Sequence, residues 1–213
     1  MSNTAPKRAF VLSRVSDWEI ALKCADRLRA QGWIAKILCD PIDWDVMPPE
    51  SLPASYSTQG RGMFGIPCAL GVIDGVLRHS SPGDVVFKTD CDVWLSDECS
   101  AWFGAPDMAR ALRLNKRNKE PWGGAWSANR NHVEQARSVL AVTPPCKCPD
   151  SVLYLQSLHR SGKGLEIHPE WMADEWESAF PDRGEHCRTL PIARIIDRYA
   201  EAVRMFQASA GTR

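Results

Sequence analysis

The sequence has no surplus of either charge sign, since lysine and arginine total 26 and aspartate and glutamate total 26. A chain with zero net charge carries no global field for drawing in nucleic acid or a membrane surface, so a charged partner must be met by a local patch. It also lacks any apolar run of transmembrane length, and the opening MSNTAPKRAFVLSRVSDWE meets charged residues too early for a secretory leader. Membrane spanning and secretion are therefore disfavoured, and a cytoplasmic location is expected. There is no internal repeat and no low-complexity run, which excludes solenoids and disordered arrays. Cysteine occurs eight times without the spacing of a disulfide framework: Cys24, Cys39, Cys68, Cys91, Cys99, Cys146, Cys148 and Cys187 are dispersed through a chain large enough to fold without staples. Reduced thiols are expected. Cys146 and Cys148, with His186 and Cys187 far along the chain, are poorly spaced for a tetrahedral zinc knuckle.

What is present suits one α/β domain: 213 residues, 44% of them hydrophobic. RAFVLSR (8 to 14) reads as a buried strand. From Asp17 to Gln31, Trp18, Ala21, Leu22, Ala25 and Leu28 fall on one helical face, and Gly32 ends that helix. WIAKILCD (33 to 40) returns as a second strand, so the opening predicts a right-handed strand-helix-strand crossover with parallel strands. Residues 41 to 62 read as a long connection, 64 to 80 as a helix, and DVVFKTD as a third strand. SDECSAWFGA then reads as a helix or turn and DMARALRLNKRNKE as an amphipathic stretch. A short strand is expected around Trp122 to Ala128 and a helix from about Asn131 to Val142, followed by the break PPCKC. A helix starting at Asp150, the strand KGLEIHP and a final helix near IARIIDRYAEAVRMF complete the chain. In open α/β sheets ligands sit beyond the carboxyl ends of the strands, which is where Ser13, Asp40 and Asp90 fall.

The third strand delivers Asp90, Cys91 and Asp92 from an apolar run. Strand side chains alternate, so Asp90 and Asp92 point to one side if the strand persists through position 92. Two carboxylates that close repel one another and raise a pKa unless a cation lies near them. Oxygen ligands of this kind suit Mg2+ or Mn2+, with waters and substrate phosphates completing the shell. The plain alternative is a solvated turn after a strand.

GDVVFKTDCDVWL resembles the metal strand of the GT-A-type glycosyltransferases, with Asp90 and Asp92 at the two positions of the D-x-D motif. As an order of elements the resemblance runs over roughly residues 8 to 170. It implies a single-domain, Rossmann-like fold with a mostly parallel central sheet flanked by helices, residues 8 to 100 binding the nucleotide sugar and 101 to 213 the acceptor. It implies Mn2+ or Mg2+ on Asp90 and Asp92, and a nucleoside diphosphate sugar donor contacted by Ser13, Arg14, Asp40, Arg61 and Asp90. It also implies His186 as a further metal ligand and Asp150 as the base that takes a proton from an acceptor hydroxyl. The common form at that last position is a pair of acids, whereas here Pro149 precedes a single Asp150. A base there favours inversion of the sugar, and a site without one suits a retaining, front-side route.

Other readings stand beside this one. Arg110, Arg113, Lys116, Arg117 and Lys119 form either a solvated helix face and loop, or a phosphate-contacting patch beside Trp122 and Trp126. The second would allow DNA as acceptor, through a hydroxylated base flipped from the stack. An aspartyl-nucleophile phosphohydrolase would use Asp90 to attack phosphate and Asp92 as acid. A module that binds a nucleotide or polymer without turnover is the non-enzymatic reading. Trp171 and Trp176 are expected to pack in the core, or else to form a lid over the acceptor.

Overall fold

The computed structural model describes residues 5–56, 65–105, 107–114, 120–144, 150–173 and 185–186. The segment of the expected final helix, the CKC at 146 to 148 and Trp176 lie outside them. Strand β1 (Lys7–Ser13), helix α1 (Trp18–Ala30) and strand β2 (Ile34–Cys39) form the expected opening unit. Its two strands pair in parallel, Arg8 with Ile34 through Ser13 with Cys39. Helix α1 buries Ile20, Ala21, Cys24, Ala25 and Leu28. It stops where Gly32 takes a φ of 84°, a left-handed turn that a residue with a Cβ rarely adopts.

The connection after β2 contains a short strand, β3 (Ser51–Pro53), which adds to β2 in parallel. Helix α2 (Ile66–Arg78) then leads to β4 (Val85–Asp90), which pairs in parallel with the other side of β1. Next come β5 (Val93–Trp94), α3 (Asp97–Phe103), β6 (Ala109–Leu114), β7 (Glu120–Asn129) and α4 (Arg130–Ala141). Helix α5 (Asp150–Leu158), β8 (Leu165–Ala173) and β9 (Glu185–His186) follow. The seven-stranded sheet has the order β3-β2-β1-β4-β7-β6-β8. Strand β7 runs antiparallel to β4 and β6, while every other pairing in the sheet is parallel. The architecture is therefore a mixed α/β domain with a mostly parallel sheet between helices. No helix among the described residues is long and apolar enough to cross a membrane.

Alternation along the strands divides the core into two layers. Ala9, Val11 and Phe87 face the layer that holds Ala21, Cys24, Ala25 and Leu28 of α1. Phe10, Leu12 and Val86 face the layer of α2, α4 and α5, with Val72, Ile73, Val133, Tyr154 and Leu158. In the first layer the Trp33 indole N–H donates to Ser100 Oγ at 2.8 Å, and Phe87 packs against Trp33 and Phe103 with ring centres 5.4 and 4.8 Å away. In the second, α2 lies so close to the segment after β3 that a Cβ on Gly71 would sit 1.4 Å from the Ser55 carbonyl oxygen.

One element departs from its sequence reading. The stretch expected to be a solvated helix face is the interior strand β6 up to Leu114, and a register shift between Ala111 and Leu112 breaks its alternation. The bulge lets Ala109, Ala111 and Leu112 all be buried, a spacing that imitates a helical face in the sequence.

Candidate functional site at the strand ends

Parallel pairing brings the carboxyl ends of β2, β1 and β4 to one edge of the sheet. Leu12 lies opposite Asp90, Ser13 opposite Cys39, and Asp40 follows directly. The predicted convergence of Ser13, Asp40 and Asp90 is thus built by the register. Ser13 is buried and its hydroxyl donates to the Arg14 carbonyl at 3.1 Å, while its own carbonyl accepts from the Tyr56 hydroxyl. Arg14 is exposed, at the entry to a short helical turn, Val15–Asp17. Asp40, expected at the base or ribose, is 0% exposed. Its Oδ1 accepts from the Ile42 amide at 3.0 Å and its Oδ2 from the Tyr56 amide at 2.7 Å. In this geometry the Asp40 carboxylate caps the turn Pro41–Asp43 and ties down the loop that carries Tyr56. Arg61 lies outside the described residues.

Strand β4 ends at Asp90, and Cys91 and Asp92 form a turn before β5. Because the strand stops at Asp90, strand alternation does not set a shared direction for the two aspartates. Instead, Asp90 shares its strand face with Lys88, and the two form an ion pair, Nζ to Oδ1 at 2.7 Å. Lys88 is 1% exposed. Its ammonium also donates to the carbonyl oxygens of Gly123 and Gly124 on β7, at 3.3 Å each, and stands 5.2 Å from the centre of the Tyr154 ring on α5. Sequence reasoning passed over Lys88, although a lysine inside VVFKTD is a cation that needs a partner wherever that strand is buried.

Asp90 and Asp92 are 8% and 7% exposed, so both carboxylates stand almost out of water. Their charge reaches the α1 side of the sheet. Burial, then Asp92 and Asp17, push the Cys91 thiol well above its ordinary range. Burial, followed by Asp92 and Asp90, does the same to Cys24, whose Sγ lies 3.5 Å from the Val93 carbonyl oxygen it donates to. Both thiols are protonated neighbours of a negative site.

Two further predicted residues are placed along the chain by backbone geometry. Strand β9 pairs with β5, so His186 lies opposite Val93, the residue directly after Asp92. Asp150 is the first residue of α5, one helical turn before Tyr154. The basic patch, by contrast, is not assembled by the described residues. Arg110 donates from Nε to Glu166 at 2.7 Å and from a terminal nitrogen to the Trp102 carbonyl, and its guanidinium carbon lies 5.1 Å from the Trp102 ring centre. Arg113 belongs to β6, and Lys116, Arg117 and Lys119 lie outside the described residues. Trp126 is fully buried against Tyr154, with ring centres 6.0 Å apart, so it offers no surface for a base.

Among the described residues, no group of three or more His, Cys, Asp and Glu side chains is arranged to hold a metal ion. Asp90 closes β4 and Asp92 follows two residues later, so two nearly buried carboxylates stand at this strand end. Such a pair fits a hard cation like Mg2+ or Mn2+, which is commonly held by one or two carboxylates while waters and phosphate oxygens fill the other positions.

No family model matches the chain, and no curated protein matches it. Solved structures do. A glycosyltransferase involved in glycosylation of the major capsid of PBCV-1 superposes with a TM-score of 0.57 over 90% of this chain and 99% of its own, at 9% identity. A Drosophila β-1,4-galactosyltransferase 7 mutant, in complex with manganese, UDP-Gal and xylobiose, superposes with a TM-score of 0.52 over 87% of this chain and 72% of its own, at 13% identity. Together with the sheet order and the carboxylates at the end of β4, these likenesses show that the chain has the GT-A-type glycosyltransferase fold.

Proposed function

We propose that the protein is a metal-dependent glycosyltransferase that moves a sugar from a nucleoside diphosphate sugar to an acceptor hydroxyl. The observation that carries this reading is the position of Asp90 and Asp92, two nearly buried carboxylates where a central strand of a glycosyltransferase fold ends. The Drosophila structure holds manganese and UDP-Gal on the same fold, which supports a metal and a nucleotide sugar here. A divalent cation on Asp90 and Asp92, with His186 as a further ligand, would supply positive charge against the departing diphosphate.

The chain's own residues supply the rest. Ser13, Arg14 and Arg61 bind the nucleotide side of the donor, and Asp40 keeps the adjoining loop in place. Asp150, at the start of α5, accepts the proton of the acceptor hydroxyl as that oxygen bonds to the sugar carbon and the nucleoside diphosphate leaves.

The test is thermal melting with UDP, GDP, ADP and CDP, each with and without Mn2+ or Mg2+. A ligand at a hundredfold its Kd adds about 2.7 kcal/mol of stability, a rise of roughly 5 to 10 °C for a chain of this size. The rise is expected with one nucleotide plus metal, and Asp92→Ala should abolish it. Asp150→Ala should keep the rise and lose sugar transfer in a screen of nucleotide sugars with small acceptors. No metal-dependent shift with any nucleotide would overturn the reading, and phosphate release from small phosphoesters would favour phosphohydrolase chemistry instead.

A further inference from the structure

We propose that Lys88 is a resident counter-ion of Asp90 that makes binding of the divalent cation conditional on the diphosphate. The proposal rests on the glycosyltransferase reading above and assigns a positioning role to a residue that reading does not use.

The ammonium of Lys88 lies 2.7 Å from Asp90 Oδ1 and is shut away from solvent. It is fixed from outside its own strand, by the Gly123 and Gly124 carbonyls of β7 and by the Tyr154 ring of α5. Tyr154 is itself fully buried, so the ammonium is enclosed by these partners and by Asp90 rather than by water. With Lys88 paired to Asp90, the formal charge summed over Lys88, Asp90 and Asp92 is −1 rather than the −2 of the two carboxylates alone. A lone divalent cation that approaches Asp90 meets a unit positive charge a few ångströms away, in surroundings too dry to screen it. A nucleoside diphosphate brings negative charge to the same place and reverses the balance. Metal and diphosphate should then bind as a pair, each raising the affinity for the other by the same factor. Such a site would hold a bare cation weakly and would lose affinity for it once the nucleotide has left.

The experiment uses the full chain and compares wild type with Lys88→Met, which keeps length and apolar volume, and Lys88→Gln, which keeps a hydrogen-bond donor but no charge. Mn2+ binding without nucleotide is read from the electron paramagnetic resonance of free Mn2+, and melting is followed with Mn2+ alone and with Mn2+ plus the four nucleoside diphosphates. Wild type should show no melting shift with Mn2+ alone and a clear one with Mn2+ plus a diphosphate. Both variants should bind Mn2+ alone at least about tenfold more tightly than wild type and gain a melting shift from Mn2+ alone, and adding Asp90→Asn to Lys88→Met should cancel both gains. A role in packing alone would lower the melting temperature without changing the response to Mn2+. Wild-type synergy with no gain in the variants overturns the proposal and leaves the glycosyltransferase reading standing. A gain in Lys88→Met but not in Lys88→Gln also overturns it, because hydrogen bonding rather than charge would then be responsible. Should Lys88→Met not fold, Lys88→Gln and the wild-type measurement decide, since tight Mn2+ binding to wild type without nucleotide refutes the proposal. No shift in wild type with any metal and nucleotide removes the glycosyltransferase reading and this proposal with it.

Discussion

Cys24, Cys39, Cys91 and Cys99 are all buried around the strand ends and their flanking helices. Burial pushes the Cys39 thiol up to about 12, with a hydrogen bond to Ser51 working against it and Asp43 adding to it. Burial likewise raises Cys24 and Cys99, and Cys91 lies well above its ordinary value near 9.0. The folded state thus holds protons that the unfolded chain gives up once the pH passes the ordinary thiol value. Because the unfolded state then binds fewer protons, stability is fully present below about pH 9 and falls as pH rises beyond it, by up to about 1.4 kcal/mol per pH unit for each such thiol. Urea melts at pH 8 and pH 10 should show this loss, and Cys99→Ala should lessen its slope. At pH 8 the same thiols should resist alkylation until the chain unfolds. The sequence supported the reading of these cysteines as reduced because their dispersal excludes a disulfide framework. It could not support Lys88 or the loop-holding use of Asp40. Beyond their local partners Asp90 and the Ile42 amide, the Lys88 ammonium meets Gly123, Gly124 and Tyr154, and Asp40 meets the Tyr56 amide. No local pattern joins positions that far apart.

At the scale of elements, two glycines one helical turn apart decide how α2 sits. A Cβ on Gly71 would reach within 1.4 Å of the Ser55 carbonyl oxygen, and one on Gly75 within 2.7 Å of the Ala54 Cβ. Alanine in a helix interior is favoured over glycine by about 1 kcal/mol, but forcing α2 away from a backbone segment costs about 3 kcal/mol or more. Gly71→Ala should therefore destabilise the protein strongly in denaturant titrations, and Gly75→Ala less. Gly71→Ala should also weaken nucleotide binding in the melting assay, because the segment it displaces carries Tyr56 and hence the hold on Asp40. Before β4, the Asp84 carboxylate accepts from Arg8 Nε at 2.5 Å and from the Ser81 amide at 2.7 Å, which fixes the turn that starts the strand. Asp84→Ala should cost about 2 kcal/mol by leaving both donors without their charged acceptor. Periodicity made β1, α1, β2 and the strand into Asp90 legible because each has an unbroken apolar pattern. It misled at β6, where the bulge between Ala111 and Leu112 interrupts the alternation, and it passed over β3 and β9, which are too short to have a period.

Across the whole molecule, the sheet places the candidate site at the joint between two halves of the chain. The strand that ends in Asp90 has β1 on one side and β7 on the other, so residues from both halves must be present before its carboxylates are enclosed. The fold class was readable from the order of elements, whereas the meeting of α5 with β4 through Tyr154 and Lys88, and of β9 with β5 just after Asp92, follows from long-range pairing that one sequence does not display. That pairing also orders events as the chain leaves the ribosome. Lys7 finds its partner only when Val85 has been made, and until then β1 is an apolar strand with one bare edge of unpaired amides and carbonyls. A fragment of residues 1 to 80 should self-associate through that edge, visible as light scattering at micromolar concentration, and a soluble monomeric fragment would contradict this. The strand that carries the carboxylates thus also serves the chain as the seal on its own aggregation-prone edge during synthesis.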